Sequence, residues 1–167
     1  KEQDIIHCEN IDVNEGIKDA LGMVGTQYKI DNVDLSVKLA KYPIRISANK
    51  YRLEQVILNL LSNAKYAVDD KESNGDHKDY HKKINIYSKI SDSVASIIVE
   101  DNGAGIPEEI QVNIFDPFYT TKKNEIGTGL GLSVSYGIIQ ELGGAIVVDS
   151  MVNEYTRMNI SIPINKE

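Results

Sequence analysis

Residues 49–68 constrain the fold of this chain more than any other part of its sequence. Their apolar side chains recur at roughly 100° per residue and form one broad stripe, whereas Asn59, Asn63 and Tyr66 line the edge of that stripe. The pattern predicts a long helix that packs one face on a core and keeps a polar edge. The stripe consists of Leu53, Val56, Ile57, Leu60, Leu61, Ala64, Ala67 and Val68.

Extended segments that such a helix could cover are spread along the rest of the chain. Residues 33–39 alternate between apolar and polar side chains, and residues 84–90 and 94–100 are typical of a hairpin joined by a Ser-Asp-Ser turn. Residues 145–149 and 157–164 are the last two predicted strands. Because helices and strands alternate without strict βαβ regularity, we expect an α+β fold, a two-layer α/β sandwich.

Local signals set the ends of the remaining elements. Asp12 stands in the N-cap position of an amphipathic helix, and Pro107 favours the first position of a short one. Residues 130–142 predict a further helix, which Gly143 follows in the C-cap place. Residues 69–83 are polar and contain an Asn-Gly pair, so we expect them to form an exposed loop.

Charge, cysteine content and length exclude several classes of protein. The 167 residues include 18 Lys and Arg against 25 Asp and Glu, so the broad basic surface that a nucleic-acid partner needs is not expected. The single cysteine, Cys8, cannot form an internal disulfide, which favours a reducing, cytoplasmic compartment. No apolar run approaches the roughly 18 residues that span a bilayer, so we expect no direct membrane contact. We expect one domain over residues 1–167 and, because the chain starts at Lys1, a fragment of a longer protein.

Asn59 and Asn63 form the first candidate functional motif. Residues four apart on a helix point the same way, so the two carboxamides would lie together. A Mg²⁺ ion could use one of them together with phosphate oxygens and water. The alternative is a pair of solvated or packing asparagines, although Asn is a poor helix former and two of them cost stability unless they are used.

Residues 101–107 form the second motif, directly after a predicted strand. Asp101 at the strand end could accept a hydrogen bond from an exocyclic amine such as that of adenine, and Gly103 and Gly105 would let a ligand approach the backbone. The alternative is a plain turn headed by an Asp.

Residues 127–132 form the third motif, with glycines at alternate positions running into a helix. Free N–H groups and the positive end of the helix dipole would make a phosphate cradle there. The polar segment before it is not the strand that a dinucleotide fold requires, and the Gly-Lys-Ser/Thr of a Walker P-loop is absent.

In this order the motifs resemble those of the GHKL ATPase/kinase superfamily, which has the Bergerat fold. Residues 53–64 resemble its N box, 101–107 its first glycine box, 115–122 its F box and 127–132 its second glycine box. Residues 133–144 are similar to the nitrogen-regulation-type subgroup of bacterial sensor histidine kinases. The resemblance implies a mixed, mostly antiparallel sheet covered on one face by about three helices.

The resemblance also implies residue roles in binding ATP and Mg²⁺. Asn63 would be the Mg²⁺ ligand, with Asn59 as its catalytic neighbour at the phosphates, and Asp101 would bind the adenine amino group. Lys122 would act catalytically from a lid over residues 117–126, reaching the terminal phosphate, and Phe115 and Phe118 would anchor the base of that lid. The other implied nucleotide contacts are Tyr66, Gly103, Gly105, Ile106, Phe118, Thr121, Gly127, Thr128, Gly129, Leu130, Gly131, Leu132 and Thr156. Two of these depart from the usual pattern, since Tyr66 stands where some members have a basic residue and Thr156 follows Tyr155 in place of Gly.

The residue at position 59 distinguishes ATP hydrolysis from kinase activity within the superfamily. Its ATPases carry a Glu general base at this position, and an Asn cannot take a proton from water, so hydrolysis is disfavoured. The resemblance therefore implies an ATP-dependent protein-histidine kinase domain of a two-component system. A serine kinase of the anti-sigma type, which would again need a base at position 59, and a non-catalytic ATP-binding module remain the alternatives.

The partners follow from what the chain lacks. None of His7, His77 and His81 is followed by the acidic residue typical of a phosphorylated histidine, so the acceptor is expected on a separate dimerisation and histidine-phosphotransfer domain. The resemblance further implies an indirect partner, the receiver domain of a response regulator, and a homodimeric full-length protein. An anchor of that protein in the inner membrane is left open.

Overall fold

Five strands form one mixed sheet in the computed structural model, which describes residues 7–75, 78–119 and 131–164. The order of its strands is β2-β4-β5-β7-β6, and a separate two-stranded sheet pairs β1 with β3. The elements in chain order are β1 (Glu9–Asp12), α1 (Val13–Ile30), β2 (Asp34–Lys38), β3 (Arg45–Ala48), α2 (Lys50–Ser73), β4 (Lys83–Ser91), β5 (Val94–Asp101), α3 (Glu108–Gln111), α4 (Gly131–Glu141), β6 (Ala145–Met151) and β7 (Tyr155–Pro163).

The sheet is mostly antiparallel, which confirms the expected α+β sandwich. Among the described strands only β2 pairs in parallel, with β4, while the β4–β5, β5–β7 and β6–β7 pairs are antiparallel. Helices α1, α2 and α4 supply the other layer, with α2 in contact with both of the others. The predicted hairpin of β4 and β5 is present, with Asp92 and Ser93 in its turn.

The core lies between the helices and the inner face of the sheet. Rows of apolar side chains run across neighbouring strands, as in the row of Val99, Met158 and Val148. The predicted stripe of α2 covers these rows, and Val56, Ile57 and Leu61 are completely buried. Full burial of each such side chain contributes roughly 1.5–3 kcal/mol, so the amphipathic α2 and the sheet stabilise each other.

Asp12 caps α1 as predicted. Its carboxylate accepts hydrogen bonds from the backbone N–H of Asn14 and from that of Ile44, both at 3.0 Å. The second bond connects the helix start to the segment that enters β3, a strand that the sequence pattern does not predict. Pro107 lies just before α3 and not at its first position, while Gly143 ends α4 with a positive φ of 74°.

The expected loop at residues 69–83 is partly wrong. Helix α2 continues to Ser73, and Lys82 is buried, only 6% exposed, with its ammonium group 3.1 Å from Asp69 and 3.2 Å from Glu72. The polar composition misled the prediction because these acidic side chains lie on one face of the last turns of α2, where they neutralise a buried cation. Among the described residues, no helix combines the length and the apolar character needed to cross a membrane.

Candidate functional site

A row of polar side chains continues the apolar rows at one end of the inner sheet face. Asp101 in β5 is paired with Thr156 in β7, which is paired with Ser150 in β6. Side chains at paired positions lie on the same face of a sheet. Asp101 is 5% exposed and Thr156 is 6% exposed, so two groups that normally prefer water are held inside the molecule.

Asp101 is the acidic side chain of this row, and its pKa is strongly raised. Burial raises the pKa of its carboxyl group to about 7, while the backbone N–H of Gly103, which donates to it at 2.8 Å, acts in the opposite direction. The charge of Glu100 raises the pKa further and that of Lys71 lowers it. Among the described residues only the Gly103 N–H donates to this carboxylate, so it is suited to a ligand that brings an N–H of its own.

The first glycine box is clamped between α2 and the β6–β7 turn. A Cβ on Gly103 would lie 2.5 Å from the carbonyl carbon of Ala67, and the N–H of Ala104 donates to the Ala67 carbonyl oxygen at 3.1 Å. On the other side, a Cβ on Gly105, whose φ is +72°, would overlap the carbonyl oxygen of Met151. Only glycine fits this close approach on both sides, so the loop has a fixed position beside Asp101.

Two interactions that the sequence motifs do not indicate secure the same loop. The N–H of Ile106 donates to the Ser150 hydroxyl at 2.8 Å. The ammonium group of Lys71 donates to the carbonyl oxygens of Asn153, at 2.6 Å, and Asn102, at 3.4 Å. Ser150 in β6 and Lys71 in α2 lie on elements that meet this loop only in the folded chain, so no local sequence pattern identifies them.

Asn59 links the N box to the start of α4. Its amide nitrogen donates to the Gly131 carbonyl oxygen and to the Ser135 hydroxyl, both at 3.1 Å. Asn63 follows one turn later, and it and Tyr66 are half-buried on the edge of α2 that leads towards the first glycine box. The side of α2 that carries Asn59 and Asn63 therefore leads, at Ala67, to the first glycine box beside Asp101.

Part of the predicted site lies outside the described residues, namely Thr121, Lys122, Gly127, Thr128, Gly129 and Leu130. Their predicted contacts with phosphates, and the predicted lid beyond Tyr119, are therefore not addressed by the structure. Gly131 and Leu132 begin α4, and Leu132 packs partly buried against the core.

The two aromatic residues expected to anchor the lid differ in burial, while the lid from residue 120 onward lies outside the described residues. Phe115 is half-buried and its ring lies 5.5 Å from that of Tyr136 in α4. The anchoring role expected for Phe118 is wrong, because that side chain is 74% exposed on a backbone with φ of 65°.

Neither described histidine lies on a helix. His7 precedes β1 and His81 precedes β4, and both are exposed, while His77 lies outside the described residues. Within the described ranges there is no group of three or more His, Cys, Asp or Glu side chains that could hold a metal ion.

Residues 48–166 match the family model described as histidine kinase-, DNA gyrase B- and HSP90-like ATPase. Over 165 residues, 96% of its length, the chain is 33% identical to the signal transduction histidine-protein kinase ArlS of Staphylococcus epidermidis. It is 35% identical over 160 residues to the signal transduction histidine-protein kinase AtoS of Escherichia coli. The chain spans 33% of the length of ArlS and 24% of that of AtoS.

A similar fold occurs in the solved catalytic domain of the histidine kinase ThkA. The TM-score is 0.78 at 30% sequence identity, and the likeness covers 93% of this chain and 95% of that domain.

Proposed function

Because the chain belongs to the family of histidine kinase-, DNA gyrase B- and HSP90-like ATPases, we propose that residues 1–167 are the catalytic and ATP-binding domain of a sensor histidine kinase. Its reaction is the transfer of the γ-phosphate of ATP to a histidine on a separate dimerisation and phosphotransfer domain. From there a response regulator receives the phosphate. The likeness to ArlS, AtoS and the ThkA catalytic domain supports this assignment.

The residues of the polar row fit an adenine base. Asp101 offers a buried carboxylate acceptor, and the glycines beside it leave no side chain between that acceptor and the neighbouring backbone. Adenine carries an exocyclic amine, which is a donor that such an acceptor requires. Thr156, the cross-strand neighbour of Asp101, adds a second polar group at the same place.

The residues present also fit Mg²⁺ that arrives with the nucleotide. Mg²⁺ usually keeps several waters and binds through phosphates and one or two protein oxygens, so a cluster of acidic side chains is not required. Asn63 would provide the protein oxygen. Bound there, the ion would neutralise charge on the transferring phosphoryl group, and Lys122 would add a second positive charge.

Asn59 is the observation that favours a kinase over a hydrolase. Its amide nitrogen is already committed to Gly131 and Ser135, and it has no basic atom that could take a proton from water. Transfer to an imidazole that is already nucleophilic needs no such base, so positioning and charge neutralisation are sufficient. We propose that Asn59 holds the start of α4 in place.

The same feature weighs against a serine kinase, whose hydroxyl acceptor would need a base at position 59. All four sequence boxes are intact, which argues against a module that binds ATP without catalysing a reaction. We further propose that the domain works in the cytoplasm and that the full-length kinase is a homodimer.

A transfer assay with labelled ATP tests the proposal. Alone, the chain should bind Mg-ATP, release phosphate slowly and remain unlabelled. Mixed with the dimerisation and phosphotransfer hairpin of the same kinase, it should label the hairpin with acid-labile phosphate, slowly because the linker that raises the effective concentration is missing.

The other outcomes are equally informative. Rapid phosphate release by the chain alone would favour the ATPase activity, and acid-stable label on a partner would favour the serine kinase. Absence of ATP binding in calorimetry would overturn all three assignments.

A further inference from the structure

Ser150 makes three hydrogen bonds at the end of the sheet, and none of the sequence motifs includes it. Its hydroxyl oxygen lies 2.8 Å from the Ile106 nitrogen, 2.8 Å from the Tyr155 carbonyl oxygen and 2.9 Å from the Thr156 hydroxyl oxygen. The residue thus contacts the first glycine box and the strand that carries Thr156. It does not belong to the set of residues that would touch the nucleotide directly.

The direction of each of these hydrogen bonds follows from counting protons. A hydroxyl group has one proton to donate, and a carbonyl oxygen has none. The proton in the bond to Tyr155 must therefore come from Ser150, and the proton in the bond to Ile106 comes from the backbone N–H. The remaining bond can only use the proton of Thr156, so the Thr156 hydroxyl donates to Ser150.

This arrangement determines what Thr156 can offer to a ligand. With its one proton directed at Ser150, its oxygen has only lone pairs left for the pocket. Asp101, its partner across the β5–β7 pair, also has only acceptors when it is ionised. Two adjacent buried acceptors suit a ligand group with two protons, such as an amine, bound directly or through a water. They disfavour binding of a carbonyl oxygen at the same place, because two acceptors that face each other have no proton to share.

We propose that Ser150 is a positioning residue for nucleotide specificity: it holds the Thr156 hydroxyl as an acceptor, so that the site prefers 6-amino purine nucleotides to 6-oxo purine nucleotides. The inference rests on the proposed binding of ATP at Asp101. It assigns to Ser150 a part of the base discrimination that the carboxylate alone would otherwise supply.

The test compares the affinities of ATP and ITP, which differ at position 6 of the base and share the sugar and the phosphates. Ser150→Ala frees the Thr156 hydroxyl to rotate and donate, so the ratio of ITP to ATP dissociation constants should fall roughly five- to tenfold. Ser150→Thr keeps a hydroxyl at the same place and should keep most of the wild-type ratio. Thermal unfolding of each variant reports on the fold separately.

A second variant distinguishes an effect through Thr156 from a general loosening of the glycine box. In a Thr156→Val background, Ser150→Ala should leave the ratio unchanged, because the hydroxyl that it would release is gone. An equal loss of ATP and ITP affinity in Ser150→Ala, or a change of the ratio that persists with Thr156→Val, would overturn the inference. If the wild-type chain binds neither nucleotide, the proposed function itself fails.

Discussion

At the scale of single residues, the adenine contact proposed for Asp101 would come at a cost in stability. Its carboxyl group lies where burial opposes its charge and raises its pKa to about 7. An ionised Asp101 is nevertheless what an adenine amine would require. Such a conflict between stability and binding is typical of functional sites.

We predict that Asp101→Asn stabilises the nucleotide-free protein at alkaline pH. The pKa is 3.8 for an unperturbed Asp and about 7 in the fold, so the native state binds more protons between these values and stability falls as pH rises through this window. The Asn side chain keeps the acceptor for Gly103 without the charge. Urea unfolding above pH 7 should show a gain of at most about 4 kcal/mol, and little gain at pH 4. Equal pH profiles for the two proteins would contradict the buried, perturbed carboxyl group.

We predict that ATP binding strengthens with pH through the titration of Asp101. Only the ionised carboxylate offers all its lone pairs, so affinity should rise about tenfold from pH 6 to pH 8, with release of a proton below pH 7. The phosphates of ATP titrate in the same range. The difference between the profiles of wild type and Asp101→Asn, measured by calorimetry, isolates the contribution of the protein.

Asn59 gives a prediction about the contact of α2 with α4. Asn59→Ala removes two hydrogen bonds at the start of α4 and should lower the free energy of unfolding by about 1–2 kcal/mol. Gln55→Ala, at an exposed position of the same helix, is the matched control and should change it by less than about 0.5 kcal/mol. A similar effect of both substitutions in denaturant unfolding would argue against the link between the helices.

At the scale of elements, the first glycine box depends on the surfaces on both its sides. We predict that Gly105→Ala weakens both ATP binding and folding, because the added Cβ meets the Met151 carbonyl and the positive φ costs about 1–2 kcal/mol. Gly137→Ala in α4 has open space and should stabilise the protein by about 0.5–1 kcal/mol. Calorimetry and thermal unfolding of the pair provide the measurement, and a harmless Gly105→Ala would contradict the clamped loop.

Most helices and strands could be predicted from the sequence because hydrophobic periodicity and helix caps are local signals. The stripe of α2, the β4–β5 hairpin and the Asp12 cap each follow from neighbouring residues. The strand β3 has no such signal, since its pairing partner β1 is separated from it in the sequence by α1 and β2. The last turns of α2 were missed for a similar reason, because Lys82 joins their acidic face only after folding.

At the scale of the whole molecule, the candidate site was predictable as a set of motifs and not as a network. The first glycine box lies against the same helix as the N box, because Gly103 packs on Ala67 of α2, just beyond residues 53–64. Ser150 and Lys71 act from β6 and from the end of α2, where single residues carry no recognisable pattern. The exposure of Phe118 has no signal in the sequence pattern, which placed an aromatic anchor there.

The position of β6 at the end of the strand order has a consequence for how copies of the protein behave towards each other. Among the described strands it pairs only with β7. At the Ser150 end of its other edge the Gln111 amide donates to the Ser150 carbonyl oxygen at 3.4 Å, and the part beside Val147, whose side chain is 60% exposed, presents backbone groups that a second chain could pair with. At neutral pH the net charge of −7 keeps copies apart, but this repulsion vanishes near the isoelectric point of about 5.0. We therefore expect light scattering to detect self-association near pH 5 and its suppression by Val147→Glu. An equal response of both proteins would show that some other surface drives it.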